Sequence, residues 1–426
     1  MRDLDVDGLF WLEHAPDAKV AGRLRFESGS GARLDLIGSL GTGAEAARDQ
    51  NALRIHGVAG AEVLTLETCF RVNSSSGHPD MERESYDASF VLIGEHLAED
   101  DIGQFCGVLL ELQDLLHWIG RTGLSYSGVQ VRDGKTPESI TIQYNLLHKE
   151  TRATEAGDLE INFPTQLNMA RTQFRIEESC QFGFHFSRTV QIQDAMSICE
   201  VLQNLVTVCS YGPVGIVKIS LLNRAAMEET DEGEPGYKLI DVYTRFAGSQ
   251  AKLSAGNSFR HALFRFDDIG GLEGVTAWLS LAERYRSVIG LLHGHWYLPE
   301  TFVETRFLHM VIAAEALERI RQGQQQVALR QALLRIAEDA GELAEHLVGG
   351  IPDWADEIVK VRAANVVHRG LRQDADTERV YYLSESLYML IVTSLMQECG
   401  VPASTLSSIQ QHSRFRWLAN GLQQAG

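Results

Sequence analysis

The residues best suited to chemistry lie in the run 359–370, where Arg362, Asn365 and His368 follow one another at intervals of three. On a helix with 3.6 residues per turn, such residues form one polar stripe about 120° wide. A permanently charged guanidinium can hold a phosphate, and an imidazole that titrates near neutral pH can transfer a proton. These are the groups that phosphodiester cleavage without a metal ion needs. The stripe is therefore a candidate nucleolytic site.

The element that must position this stripe is predicted to be a helix over residues 354–368. Acidic residues in its first turns and a glycine after its end suit the two ends of a helix dipole. The residues that can face a core at helical spacing are Ile358, Val361, Ala364 and Val367. The alternative, a solvated helix face whose basic residues only favour the negative end of the dipole, is left open.

Glu315 is a supporting candidate. It continues an apolar stripe that contains Leu308 and Val311 at helical spacing. A carboxylate in such a stripe needs a partner to offset its desolvation. We expect Glu315 either to pair with Arg362 or to orient His368. The alternative is a partly exposed acid at the edge of the stripe.

Composition indicates a globular, soluble chain. The 426 residues are 44% hydrophobic and 22% charged, with no apolar run of the roughly 18 to 20 residues that a membrane span needs. The six cysteines are scattered without a C-x-x-C pair, and His293 and His295 have no third metal ligand nearby in sequence. We therefore expect a cytoplasmic protein without a cofactor or metal ion.

The charge is distributed unevenly. The net charge is −19, and residues 271–426 hold 14 basic and 18 acidic residues, so −15 of that total falls on the first 270 residues. An acidic surface argues against nonspecific coating of nucleic acid, which relies on Lys and Arg. The objection is weaker for the C-terminal part.

The pattern of elements predicts an α+β fold, with an N-terminal mostly-β domain followed by a C-terminal antiparallel α-helical bundle. Short alternating segments predict strands in a sandwich or curved sheet, at residues 20–27, 32–40, 62–71, 88–93, 139–144, 173–177 and 238–244. Helical spacing predicts helices at residues 104–120, 191–209, 275–292, 301–321, 325–347, 354–368 and 378–397. The predicted domains are 1–268 and 272–400, with 401–426 as a C-terminal tail.

With these elements in place, Arg362, five residues and His368 near the end of a bundle helix resemble the signature of the HEPN superfamily. More closely, the chain resembles the ApeA-type HEPN proteins of bacterial anti-phage defence, in which a mostly-β domain precedes the helical one. The N-terminal likeness lies in phrases such as Gly8-Leu-Phe-Trp-Leu and Phe90-Val-Leu-Ile-Gly-Glu-His. Many members have a polar residue directly after the arginine; here Ala363 follows, and we expect Asn365 to take that role.

The resemblance implies a metal-independent endoribonuclease with Arg362, Asn365 and His368 at a composite site where two HEPN domains meet. It implies RNA from host or phage as substrate, a second copy of the chain as partner, and an abortive-infection response to a phage-derived trigger sensed by the N-terminal domain. A higher oligomer is left open. The alternative is a non-catalytic HEPN module that dimerises while the β domain recognises a ligand or protein.

Overall fold

The computed structural model describes residues 3–41, 53–77, 81–98, 101, 104–132, 136–229, 235–245, 262–297, 302–367 and 374–424. The chain forms two compact units. The strand unit contains Met1–Leu116, Arg121–Glu200 and Gly215–Gln250, and the helical unit contains His117–Gly120, Val201–Val214 and Ala251–Gly426. The predicted fold class, a mostly-β region followed by a helical one, is confirmed.

Six strands of the strand unit close into a ring. They are β1 (Leu4–Leu12), β2 (Val20–Glu27), β3 (Gly31–Ile37), β4 (Leu53–Ala59), β5 (Glu62–Gly77) and β6 (Met81–Ile93). Hydrogen bonds follow the order β6-β3-β2-β1-β4-β5, and β5 pairs back onto β6. Leu24 and Phe26 are buried in the core, whereas Arg23 and Arg25, which alternate with them along β2, are exposed.

The sheet continues beyond the ring in the order β16-β15-β7-β14-β11-β10. These strands are β7 (Phe105–Leu112), β10 (Glu150–Ala153), β11 (Gly157–Asn162), β14 (Gln181–Val190), β15 (Ile216–Glu229) and β16 (Pro235–Thr244). The predicted helix at 104–120 is wrong, because residues 105–112 form β7 and only Leu115–Ile119 near its end is helical. This strand pairs on both sides and is buried on both faces, so its sequence is a nearly continuous apolar run. Such a run does not distinguish a strand from a buried helix.

Two hairpins stand outside the main sheet. They are β8 (Leu124–Arg132) with β9 (Thr136–Tyr144), and β12 (Thr165–Ala170) with β13 (Gln173–Glu178). Each has one apolar face that remains exposed, with Tyr126 at 77% and Met169 at 82%. The ring therefore has a buried apolar interior, whereas the hairpins expose much of theirs.

The helices begin with α1 (Leu115–Ile119) and α2 (Ile192–Ser210), whose second half belongs to the helical unit. The others are α3 (Leu272–Arg284), α4 (Arg286–Tyr297), α5 (Val303–Gln322), α6 (Leu329–Ala340), α7 (Glu342–Val348), α8 (Ile351–Val367), α9 (Asp374–Glu398), α10 (Ala403–Ser408) and α11 (Ser413–Gln424). The central helices are α5, which packs on α4, α6 and α9, and α9, which is buried on nearly all sides between residues 382 and 396.

The other helix predictions are confirmed in type, but two of these helices are broken. The predicted helix at 275–292 is α3 and α4, separated at Tyr285, whose ring is buried. The predicted helix at 325–347 is α6 and α7, separated at Gly341, where φ is +53°. Residues 401–426, expected to be a tail, include α10 and α11, which pack within the helical unit.

Candidate active site

Arg362 and Asn365, the first two residues of the predicted stripe, belong to α8. Trp354 and Ile358 anchor this helix, since both side chains are buried and the Trp354 indole donates a hydrogen bond to Ser386 Oγ at 3.0 Å. The predicted core face ends earlier than expected. Val361 is only half-buried and Ala364 is exposed, so within the described side chains the packing of α8 stops before its last turn.

Arg362 and Glu315 meet across two helices. The Arg362 guanidinium lies 3.1 Å (Nη1 to Oε1) and 3.3 Å (Nη2 to Oε2) from the Glu315 carboxylate. The predicted pairing is therefore confirmed. The Arg362 side chain is 41% exposed and that of Glu315 is 26% exposed. An ion pair this accessible contributes about 1 kcal/mol or less to stability, so its main consequence is to orient the guanidinium.

The rest of the stripe is less fully described. The Asn365 backbone belongs to the last turn of α8, and its side chain lies outside the described residues. His368, directly after α8, also lies outside them. The chemical roles of all three stripe residues stay predictions.

Apolar side chains border the ion pair on α5. Ile312, three residues before Glu315 and so on the same side of the helix, is 49% exposed, and Leu308 one turn earlier is half-buried. Ala364 adds exposed apolar surface on α8. The pair thus lies beside an apolar surface that no described part of this chain covers fully.

A separate charged network includes Glu318, three residues after Glu315 on α5, and is centred on Arg321. Arg321 donates to carboxylates and a hydroxyl from α5, α6 and α9, namely Glu318, Asp339, Ser394 and Glu398, at 2.6 to 2.8 Å. It borders a cavity of about 560 Å³. The cavity lining does not include Arg362 or Glu315. Local sequence patterns do not predict this network, because Arg321 and Glu398 are 77 residues apart in the chain.

Glu385 of α9 is the centre of a buried cluster that the sequence analysis also missed. Its carboxylate accepts a hydrogen bond from the Tyr211 hydroxyl at 2.7 Å and lies 3.0 Å from His295 Nε2 and 3.6 Å from Arg414. Burial alone would raise the pKa of Glu385, but these donors and the Arg414 charge bring it below its ordinary value. Tyr211 has a φ of +51°, a strained conformation for a bulky residue.

The described residues contain no group of three or more His, Cys, Asp or Glu side chains arranged to hold a metal ion. His295, one of the two histidines considered above, is bound to Glu385 instead. The helices in the described part of the chain include none that is long and apolar enough to cross a membrane.

Comparison with family models gives two matches. Residues 5–277 match the model for ApeA N-terminal domain 1, and residues 305–405 match the model for Apea-like HEPN. The first match alone covers more than half of the chain. The curated proteins and the solved structures yield no significant match.

Proposed function

We propose that this chain, because it belongs to the ApeA-type HEPN family, is a metal-independent endoribonuclease. One observation carries the proposal. The Arg362 guanidinium is held by Glu315 yet remains 41% exposed, at the end of the helix that leads into His368. A guanidinium in this state can accept a phosphate as a bidentate ligand, which a fully enclosed one cannot.

The chemistry follows from the residue types. His368 removes the proton from a ribose 2′-hydroxyl or returns one to the leaving 5′-oxygen. Arg362 holds the scissile phosphate and stabilises the charge that develops on it. Asn365 positions the RNA. The products are a 2′,3′-cyclic phosphate and a 5′-hydroxyl.

Two copies complete the site. One α8 stripe supplies a single imidazole, whereas the reaction uses a base and an acid, so we propose a two-fold symmetric dimer in which each copy contributes Arg362 and His368. The apolar surface beside the ion pair supports this arrangement. Ile312 is half-exposed on the same side of α5 as Glu315, and apolar area of this kind is what a second copy would bury.

The test is cleavage of labelled RNA by the purified full-length chain with EDTA present. We expect cleavage by the wild type and by Lys360→Ala, which removes an exposed cation two residues from Arg362. His368→Ala should be inactive and Arg362→Ala should be strongly impaired, while both remain folded. Cleavage that persists unchanged in His368→Ala would refute the assignment.

A mixing experiment tests the composite site. An excess of His368→Ala chains, allowed to exchange with wild-type chains, should suppress cleavage more than dilution alone, because mixed dimers have only one histidine. Activity that falls only in proportion to the wild-type fraction would show that one copy is sufficient.

The family also motivates a role in anti-phage defence by abortive infection, with the enzyme acting in the cytoplasm. In this proposal the N-terminal region senses a phage-derived trigger, and its acidity repels RNA until activation. Phages should form few plaques on cells that carry the wild-type chain and should form plaques normally on cells that carry Arg362→Ala. Equal protection by both forms would favour the alternative, a non-catalytic HEPN module that binds a partner.

A further inference from the structure

The C-terminal end of the chain differs in charge from the rest. Residues 399–426 contain no Asp or Glu, although the whole chain has 57. They contain Arg414, Arg416 and His412. The helix α11 in this segment lies outside the 305–405 range of the HEPN match. Carboxylates repel phosphates, and the segment that contains α11 has none of its own.

The exposed face of α11 has the composition of a surface for RNA. The helix buries Phe415, Leu418, Ala419 and Leu422. Its exposed residues are Ser413, Arg416, Trp417, Asn420, Gln423 and Gln424. A cation suits a phosphate, an indole suits a base, and amides suit base edges. A solvated helix face commonly carries charges of both signs, whereas the exposed face of α11 has one cation and no carboxylate.

Trp417 is held in place but incompletely covered. Its ring centroid lies 5.4 Å from that of Tyr382 and 6.1 Å from that of Tyr381, and the Arg414 guanidinium lies 4.9 Å from its centroid. The residue is nevertheless 43% exposed. A fixed and exposed indole is suitable for stacking an unpaired base, because little conformational entropy is lost on binding.

The packing of α11 fixes this face relative to α9 and α8. A side chain at Gly421 would collide with the Tyr382 ring at 2.3 Å, so the glycine allows close contact. Arg379 of α9 donates to the Leu422 carbonyl and also to Glu357 of α8 at 2.7 Å. The three helices are therefore connected through one guanidinium.

We propose that the exposed face of α11 binds single-stranded RNA, with a base stacked on Trp417 and a phosphate at Arg416, whose Nη2 also donates to the Gln411 carbonyl. The proposal rests on the proposed ribonuclease function for its ligand, but it concerns a separate surface. The competing explanation is that Trp417 only covers Tyr381 and Tyr382.

The binding test uses full-length His368→Ala, which cannot cleave, and fluorescein-labelled oligouridine of about 12 nucleotides at low salt. Trp417→Leu should raise Kd about tenfold, and Trp417→Phe should restore most of the affinity. Arg416→Gln should raise Kd a few-fold and reduce the salt dependence by roughly one counterion. The matched controls are Tyr126→Leu and Arg171→Gln, an exposed aromatic and an exposed arginine on the two hairpins, which should change nothing.

Three outcomes overturn the proposal. They are an absence of RNA binding by the parent, unchanged affinity in both Trp417→Leu and Arg416→Gln, and binding of a duplex as tight as that of the single strand. Arg416 is exposed, so its variant keeps the test valid if Trp417→Leu unfolds.

A cleavage assay separates this proposal from the ribonuclease proposal. In the wild-type background, Trp417→Leu should slow cleavage of the oligouridine but not of a dinucleotide, which is too short to reach α11. A purely structural role for Trp417 predicts equal slowing of both substrates. If the wild type cleaves neither RNA but the binding differences remain, the RNA site on α11 stands and the ribonuclease assignment fails.

Discussion

Two arginines of the helical unit, Arg321 and Arg362, show how similar side chains can have different uses. Arg321 is 16% exposed and donates to three carboxylates and one hydroxyl. Arg362 is 41% exposed and has the Glu315 carboxylate as its partner among the described residues. Each arginine has one partner on α5. Arg321 binds Glu318 and Arg362 binds Glu315, and these two carboxylates are three residues apart.

The difference lies in what each guanidinium can still bind. All the acceptors around Arg321 belong to the protein, and binding a phosphate there would mean breaking contacts to the buried Glu318. At Arg362 a phosphate competes with one partly exposed carboxylate, and water already solvates part of the group. We infer that Arg321 stabilises the fold and that Arg362 is available to a ligand.

The largest expected effect is on stability at Arg321. Arg321→Ala leaves Glu318, 3% exposed, without its closest cation, and removing one partner of a buried pair costs about 3 to 5 kcal/mol. Urea unfolding should therefore show a large loss for Arg321→Ala. Arg330→Ala, which breaks an exposed pair with Asp356, should change stability little. Equal losses in the two variants would contradict the structural role of Arg321.

The second prediction is that Arg362, unlike Arg321, matters for catalysis and little for stability. Arg362→Ala should reduce kcat for RNA cleavage by roughly 100- to 1000-fold, as expected for removal of one group that stabilises transition-state charge. Its urea midpoint should stay close to that of the wild type, because the ion pair with Glu315 is partly exposed. Arg362→Lys should recover only part of the rate, since an ammonium lacks the planar two-pronged geometry. An equally large loss of stability would make Arg362 a second structural arginine.

The strands of the ring show what sequence could predict. The range 20–27 was predicted with its full extent as β2, because one face is in the core and the other in water, which gives strict alternation. The prediction of a helix at 104–120 is wrong because β7 has no exposed face, so its polar and apolar residues do not alternate. The spacing of apolar residues predicts the type of an element when one side of it is buried. When both sides are buried, the apolar run is continuous and the spacing no longer distinguishes a strand from a helix.

The helical unit shows a second limit. Val201–Val214 belongs to it although strands follow in sequence, and its contacts include Thr207 and the Val214 backbone with the Tyr297 hydroxyl, at 2.7 Å each. No local sequence pattern predicts that this segment belongs to the helical unit. In the candidate site, by contrast, pairing with Arg362 is one of the two roles that the sequence predicts for Glu315, because a carboxylate in an apolar stripe needs a partner.

The third prediction extends the comparison to carboxylates, with Glu385 as the enclosed example. Its pKa in the folded protein is lowered below its ordinary value of 4.5, against the effect of burial, by His295, Tyr211 and Arg414. A lowered folded pKa means that this contribution to stability is complete above about pH 4.5 and is lost as the pH falls through the folded pKa. Glu385→Gln should cost roughly 1 to 3 kcal/mol at neutral pH.

Thermal unfolding between neutral and acidic pH measures this effect. The difference in Tm between the wild type and Glu385→Gln should shrink as the medium becomes acidic. A constant difference across the range would show that the ionised carboxylate is not what stabilises the cluster.

The smallest expected effect belongs to Glu315, the accessible carboxylate. Glu315→Gln keeps the size of the side chain but removes the charge that orients Arg362, so stability should change by about 1 kcal/mol or less. The rate of RNA cleavage should fall about tenfold, because a misplaced guanidinium meets the phosphate less often in the productive geometry. The single-turnover rate constant at saturating enzyme measures that loss directly. A rate that rises in Glu315→Gln would mean that the carboxylate competes with phosphate for Arg362, and Arg362 would then be a restrained cation instead of an oriented one.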